Sequence, residues 1–280
     1  MARDTGFPRA DVENDFLRLR RREVLSRLAN RLRGEPDDVH VILPFDEVVR
    51  ALGPIGEHSL GLRTIRLDSV VGTVDSRRDF DRRFRPTSSR VRERWERIAL
   101  AQRRGESMPP IDVYRVGGLH FVKDGHHRVS IALATGQKTI EAYVTEVVTA
   151  ISAQGIKNRA DLLLKDYERV FRSRVPLSAQ AHAKIVVSDP WTYAELGEAV
   201  EAWGCRCIQH ERRFLDRQEI AHRWFTEEYS PVIRMLGQAN LLTGGTDAEA
   251  YLRVARERYR LIRTHEWSDE IIDRLRQELG

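Results

Sequence analysis

Asp124-Gly125-His126-His127-Arg128 places a carboxylate, a glycine, two imidazoles and a guanidinium in five consecutive residues. A glycine between a strand and a helix lets the backbone turn sharply and lets a ligand approach the first amides of the helix. Those N–H groups and the helix dipole favour an anion. His127 and Arg128 in the first turn can add side-chain donors to the same anion, and Asp124 can hold a metal ion or polarise an attacking hydroxyl. The plain alternative is that Asp124 caps the helix and both histidines lie at the surface.

Apolar periodicity supplies the elements that would position this turn. His40–Leu43 reads as a short buried strand and Phe45–Leu52 as a helix closed by Gly53. Leu62–Leu67 has the loose alternation of a strand. Thr87–Gln102 reads as a helix, with Val91, Trp95, Ile98 and Ala99 at helical spacing. Pro109-Pro110 breaks the chain before Ile111–Val116, a strand. Gly117-Gly118 makes a hairpin turn to Leu119–Val122. Val129–Ala134 begins a helix ended by Gly136, and Thr139–Val147 is the last strand.

Outside this stretch the pattern is helical. Residues 13–33 read as a basic amphipathic helix, with Phe16, Leu17, Val24, Leu25, Leu28 and Leu32 near one side. Beyond about residue 150, helices are expected at Asp161–Phe171, Trp191–Trp203, Arg217–Ala239, Ala248–Arg263 and Ser268–Leu279, with one strand at Ala183–Val187. The expected organisation is a basic helix over 1–36, a mixed-sheet domain over 37–149 and a helical domain over 150–280.

Pro109-Pro110-Ile111-Asp112-Val113, a hairpin, then Gly-X-His-Arg and an apolar helix resembles the ParB/sulfiredoxin superfamily over roughly Ile65 to Val147. The resemblance implies an α+β fold, a ParB/sulfiredoxin-like mixed sheet followed here by a mainly α-helical domain. It implies that Gly125, His126, His127 and Arg128 bind nucleotide phosphates. Sulfiredoxins also recruit phosphate ligands from the helix before Pro-Pro-Ile-Asp-Val, where this chain offers Ser88, Ser89, Arg90 and Arg94. Sulfiredoxin chemistry needs a cysteine at the position of His126, so that activity is excluded. ParB clamps carry Gly-Glu-Arg-Arg at the turn, and residues 150–280 lack their expected DNA-binding domain. Those residues instead resemble an uncharacterised helical C-terminal region.

The turn is most similar to that of the free serine kinases of the superfamily. That branch implies nucleotide-dependent phosphoryl transfer, or nucleotide hydrolysis, with Asp124, His127 and Asp75 as catalytic residues. Asp79 and Asp81 are weaker candidates for the second carboxylate. The implied cofactors are a nucleotide (ATP, ADP or CTP) and Mg2+, with Asp124 as the metal ligand. A nucleotide-switched DNA-binding regulator without phosphotransfer is the competing expectation.

Composition frames these expectations. With 41% hydrophobic residues and five Trp, the chain can fill a core, and no apolar run approaches the ~20 residues of a membrane helix. No signal-peptide pattern follows Met1, so a cytoplasmic location is expected. Cys205 and Cys207 stand one residue apart and read as reduced structural thiols. The net charge is +5, and Arg77 to Arg97 is dense in arginine, a bidentate partner for phosphate. Taken with the resemblance, the expected partners are a nucleotide, DNA through the stretch 77–97, and a second copy of the chain.

Overall fold

The computed structural model describes residues 5–34, 41–75 and 79–279. It is an α+β chain that divides into two compact units, residues 1–162 and 163–280. The expected strand residue His40, and Arg77 and Arg78 of the arginine stretch, lie outside the described residues.

The first unit contains α1 (Pro8–Leu32), β1 (Leu43–Pro44), α2 (Phe45–Leu52), β2 (Pro54–Arg66), β3 (Val70–Thr73), α3 (Arg92–Arg103), β4 (Ile111–Val116), β5 (Leu119–Asp124), α4 (His126–Thr135) and β6 (Thr139–Thr149). Its six-stranded mixed sheet has the order β1-β3-β5-β4-β6-β2. β3 runs parallel to β5, with Thr73 opposite Val122, and β4 pairs antiparallel with β5 through the hairpin. Side chains alternate across the pleat, so the strands feed two cores. Ile111, Val113, Val122, Ala142 and Val144 pack with Val129 and Ala132 of α4 on one side. Val116, Phe121 and Val147 pack with Val48, Ala51 and Leu52 of α2 on the other.

α1 contributes a third cluster, and here the structure corrects the expected apolar face. Val12, Phe16 and Leu19 are buried with Trp95 and Ala99 of α3, whereas Leu17, Val24, Leu25, Leu28 and Leu32 are exposed. The inward positions are shared with buried acids that periodicity alone does not place there. Arg103 of α3 reaches Asp15 at 2.6 Å and Asp11 at 3.6 Å, and Arg20 and Arg27 meet buried Glu23. Phe16 meets Trp95 edge-on at 5.6 Å, and the Trp95 indole donates to Ser130 Oγ of α4 at 2.9 Å. A chain of contacts thus runs from α1 through α3 to α4.

The second unit is helical. α5 (Asp161–Arg174) spans the division, followed by α6 (Ala179–His182), α7 (Pro190–Glu211), α8 (Arg217–Arg223), α9 (Ser230–Gln238), α10 (Asp247–Ile262) and α11 (Asp269–Leu279). The single helix expected at Arg217–Ala239 carries a π-helical segment, Trp224–Tyr229, between α8 and α9. Pro231 follows it and has no N–H to continue the ladder, which fits the local widening. The strand expected at Ala183–Val187 is absent: the segment is irregular, and Ile185 and Val187 are buried in a unit that has no strand among its described residues. α10 begins with a capping box, Thr246 and Glu249 satisfying each other's backbone amides.

Candidate active site

β3 and β5 are parallel neighbours, so their carboxyl ends open at the same edge of the sheet. Asp75 follows β3 and Asp124 ends β5, which brings the two carboxylates to one cleft of about 150 Å³. Ligand sites in sheets with parallel strands favour such strand exits. Gly125 then turns the chain into α4 with φ +105°, and no side chain caps this helix start. A β-carbon at Gly125 would lie 2.4 Å from Ile111 Cγ2, so both the backbone angle and the packing require glycine.

The two histidines part company. His126 is built into the wall: its Nε2 lies 2.6 Å from Thr73 Oγ1, and its ring meets those of Phe80 and Phe84, each with centroids 6.3 Å away. Thr73 Oγ1 also accepts the Asp75 amide at 3.0 Å, which ties the β3 exit to α4. His127 faces the cleft, with its ring edge-on to Phe80 at 5.2 Å. Its Nδ1 is buried without a partner among the described residues. Burial, and after it the positive charge of Arg94, pushes the His127 pKa down to about 4, with Asp79 pulling the other way. The ring is therefore a neutral imidazole at neutral pH.

Arg128 is held before any ligand arrives. Its Nη1 donates to the carbonyls of Pro109 and Pro110, both at 2.6 Å, and its Nη2 donates to Asp124. A guanidinium has five N–H donors, so the Nε–H and one Nη2–H remain for a ligand. Arg94 of α3 and Lys123 of β5 add two more cations to the lining. Against Asp75, Asp79 and Asp124, the charges balance three to three once His127 is neutral.

Of the residues expected at the site, the cleft gathers Asp75, Asp124, Gly125, His126, His127, Arg128 and Arg94. Ser88, Ser89 and Arg90 are not among its lining. Ser89–Val91 forms a 3-10 turn ahead of α3, which breaks the i, i+4 alignment between Arg90 and Arg94. Ser88 Oγ is buried without a partner among the described residues. Lys123, Phe80 and Ile98 line the cleft without having been expected there. Lys123 was marked only by its place beside Asp124.

The arginine stretch does not present one face. Arg85 is buried: it pairs with buried Asp81 at 2.6 Å and donates to Arg22 O and Ser26 Oγ of α1. Arg92 binds Glu96 at 2.6 Å and also Glu13. Arg83, Arg90, Arg94 and Arg97 are exposed. Among the described residues no three His, Cys, Asp or Glu side chains form a metal-binding group, and no helix is long and apolar enough to cross a membrane.

Compared with family models, with curated proteins and with solved structures, the chain matches none.

Proposed function

We propose that the first unit is a nucleotide-binding domain of ParB/sulfiredoxin type. Its cleft catalyses phosphoryl transfer from, or hydrolysis of, a nucleotide such as ATP, ADP or CTP. The observation that carries this reading is the convergence of the two parallel strand exits on an uncapped helix start. It sets Asp75 and Asp124 beside Arg94, Lys123, Arg128 and the neutral His127.

Phosphoryl transfer asks a protein chiefly for positioning and charge neutralisation. The α4 amides, Arg94, Lys123 and the two remaining Arg128 donors bind phosphate oxygens. Asp75 orients the attacking hydroxyl or water and accepts its proton. His127, which lines the cleft, donates a ring N–H to a phosphate oxygen. Mg2+ with nucleotides keeps several waters and needs only one or two protein carboxylates. Asp124, with one oxygen engaged by Arg128, would suit that demand, and the ion would neutralise phosphate charge.

The test is calorimetric titration with ATP, ADP and CTP in the presence of magnesium, paired with an assay of nucleotide consumption. Arg94→Ala should weaken binding by about tenfold or more, because a charge-assisted contact contributes ~1.5–3 kcal/mol. Asp75→Asn should lose turnover while keeping affinity. Wild-type protein that binds none of the three nucleotides defeats the proposal.

A further inference from the structure

On the far side of Arg128 lies a second cavity of about 250 Å³, larger than the cleft that holds the histidines. The two cavities share Arg128, and the carbonyls that clamp its guanidinium belong to Pro109 and Pro110, which wall the second cavity. The side chains of Met108, Pro110, Ala132 and Ile140 give it apolar surfaces, and the amides of Gln102 and Gln137 stand among its polar groups. Its charged groups are Arg128, already paired to Asp124, and Glu141.

The chemistry differs from that of the first cleft. A carboxylate and two neutral amides do not attract phosphate, and apolar walls favour a flat, weakly charged group. Side-chain amides present a donor and an acceptor together, the pattern that reads the edge of a nucleobase. A carboxylate can accept from vicinal sugar hydroxyls, as in the ribose contacts of dinucleotide sites.

Resting on the phosphate-site reading above, we propose that this second cavity holds the nucleoside moiety. Arg128 then marks the junction between nucleoside and phosphate chain. The apolar walls stack the base, Gln102 and Gln137 read its edge, and Glu141 takes the ribose hydroxyls.

The experiment compares ATP, CTP and inorganic tripolyphosphate by calorimetric titration on wild type and on Gln102→Ala/Gln137→Ala. Both glutamines reach the surface, and thermal melting checks the fold; should the double variant fail to fold, the exposed Gln137→Ala alone replaces it. The proposal expects at least one nucleotide to bind wild type more tightly than tripolyphosphate. It also expects the variant to lose about tenfold for that nucleotide, two neutral hydrogen bonds' worth, with tripolyphosphate unchanged. Nucleotides binding no tighter than tripolyphosphate overturn it while leaving the phosphate site standing. Equal loss for both ligands, or loss for neither, also overturns it. Absence of all binding to wild type brings down the phosphate-site reading as well.

Discussion

Thr73 and His126, on different elements, meet at 2.6 Å through Oγ1 and Nε2, and the same hydroxyl accepts the backbone amide of Asp75 at 3.0 Å. One threonine therefore couples the exit of β3 to the first residue of α4. Thr73→Val keeps the shape and the strand preference but removes these two hydrogen bonds and a third, to the Val122 carbonyl at 3.3 Å. Stability should fall by ~1–3 kcal/mol because buried polar groups lose their partner. Turnover should fall further than stability, since Asp75 loses its orientation. Wild-type nucleotide consumption by this variant would separate Thr73 from the site.

Gly125 admits no side chain. Gly125→Ala places a β-carbon 2.4 Å from Ile111 Cγ2 and holds an L-residue at φ +105°. Thermal denaturation should show loss of at least ~1–2 kcal/mol from the backbone alone. Adding Ile111→Ala leaves that residue's own Cβ 2.8 Å from the new methyl and empties a fully buried core position, so it should lower the melting temperature further, not restore it.

Arg83 and Arg85 are two residues apart and should respond in opposite ways. Arg85→Met leaves the buried Asp81 carboxylate its two backbone N–H donors but no counter-charge, a change that destabilises by up to ~3–5 kcal/mol. Arg83 is exposed, and Arg83→Met should leave urea unfolding within ~0.5 kcal/mol of wild type. Any salt-dependent DNA binding by this segment must therefore be tested on Arg83, Arg90, Arg94 and Arg97, with Arg85 kept intact. Measurable DNA affinity that survives their joint replacement would place nucleic-acid binding elsewhere.

Acid should destabilise the fold over a defined range. Burial pushes His120 and His182 down to about 4 from an ordinary value of 6.5. The unfolded chain thus takes up protons at these rings at higher pH than the folded chain does. Their contribution is complete above about pH 6.5, declines as pH falls, and is lost by about pH 4. Melting temperatures across that range should drop less in His120→Gln and His182→Gln. Parallel curves for wild type and both variants would remove the histidines from the acid response.

His127 offers a spectroscopic check of phosphate binding. Its pKa stands at about 4 in the folded protein, through burial and the charge of Arg94. A bound polyphosphate adds negative charge beside the ring and favours the imidazolium. An NMR titration of the labelled imidazole should therefore move upward when ATP or tripolyphosphate binds. A titration curve unmoved by a saturating ligand would take His127 away from the phosphates.

Local signals were the legible part of this sequence. Gly53 ends α2, and Gly117-Gly118 closes the β4–β5 hairpin, because such turns depend on the residues that make them. The Asp-Gly-His-His-Arg turn was readable for the same reason, as glycine between strand and helix has few other uses. Long-range pairing was not readable. The buried face of α1 depends on Arg103 far along the chain, and the Ala183–Val187 run has strand-like burial without a neighbour. The division of labour between His126 and His127 depends on Thr73, Phe80 and Phe84, which no local pattern connects to them.

The position of β2 has a consequence for synthesis. It is the second strand to be made, yet it occupies the outer edge of the sheet and pairs with β6 alone, the last strand. Residues 67–138 must leave the ribosome before Arg66 meets Thr139. During that interval both long edges of β2 are open to other nascent chains. Pro54, the irregular pairing at Gly56 and Gly61, and the charges of Arg63 and Arg66 make it a poor template for intermolecular pairing. The ribbon is thereby protected during the wait for its own partner, and a fragment ending before Thr139 would keep it waiting indefinitely.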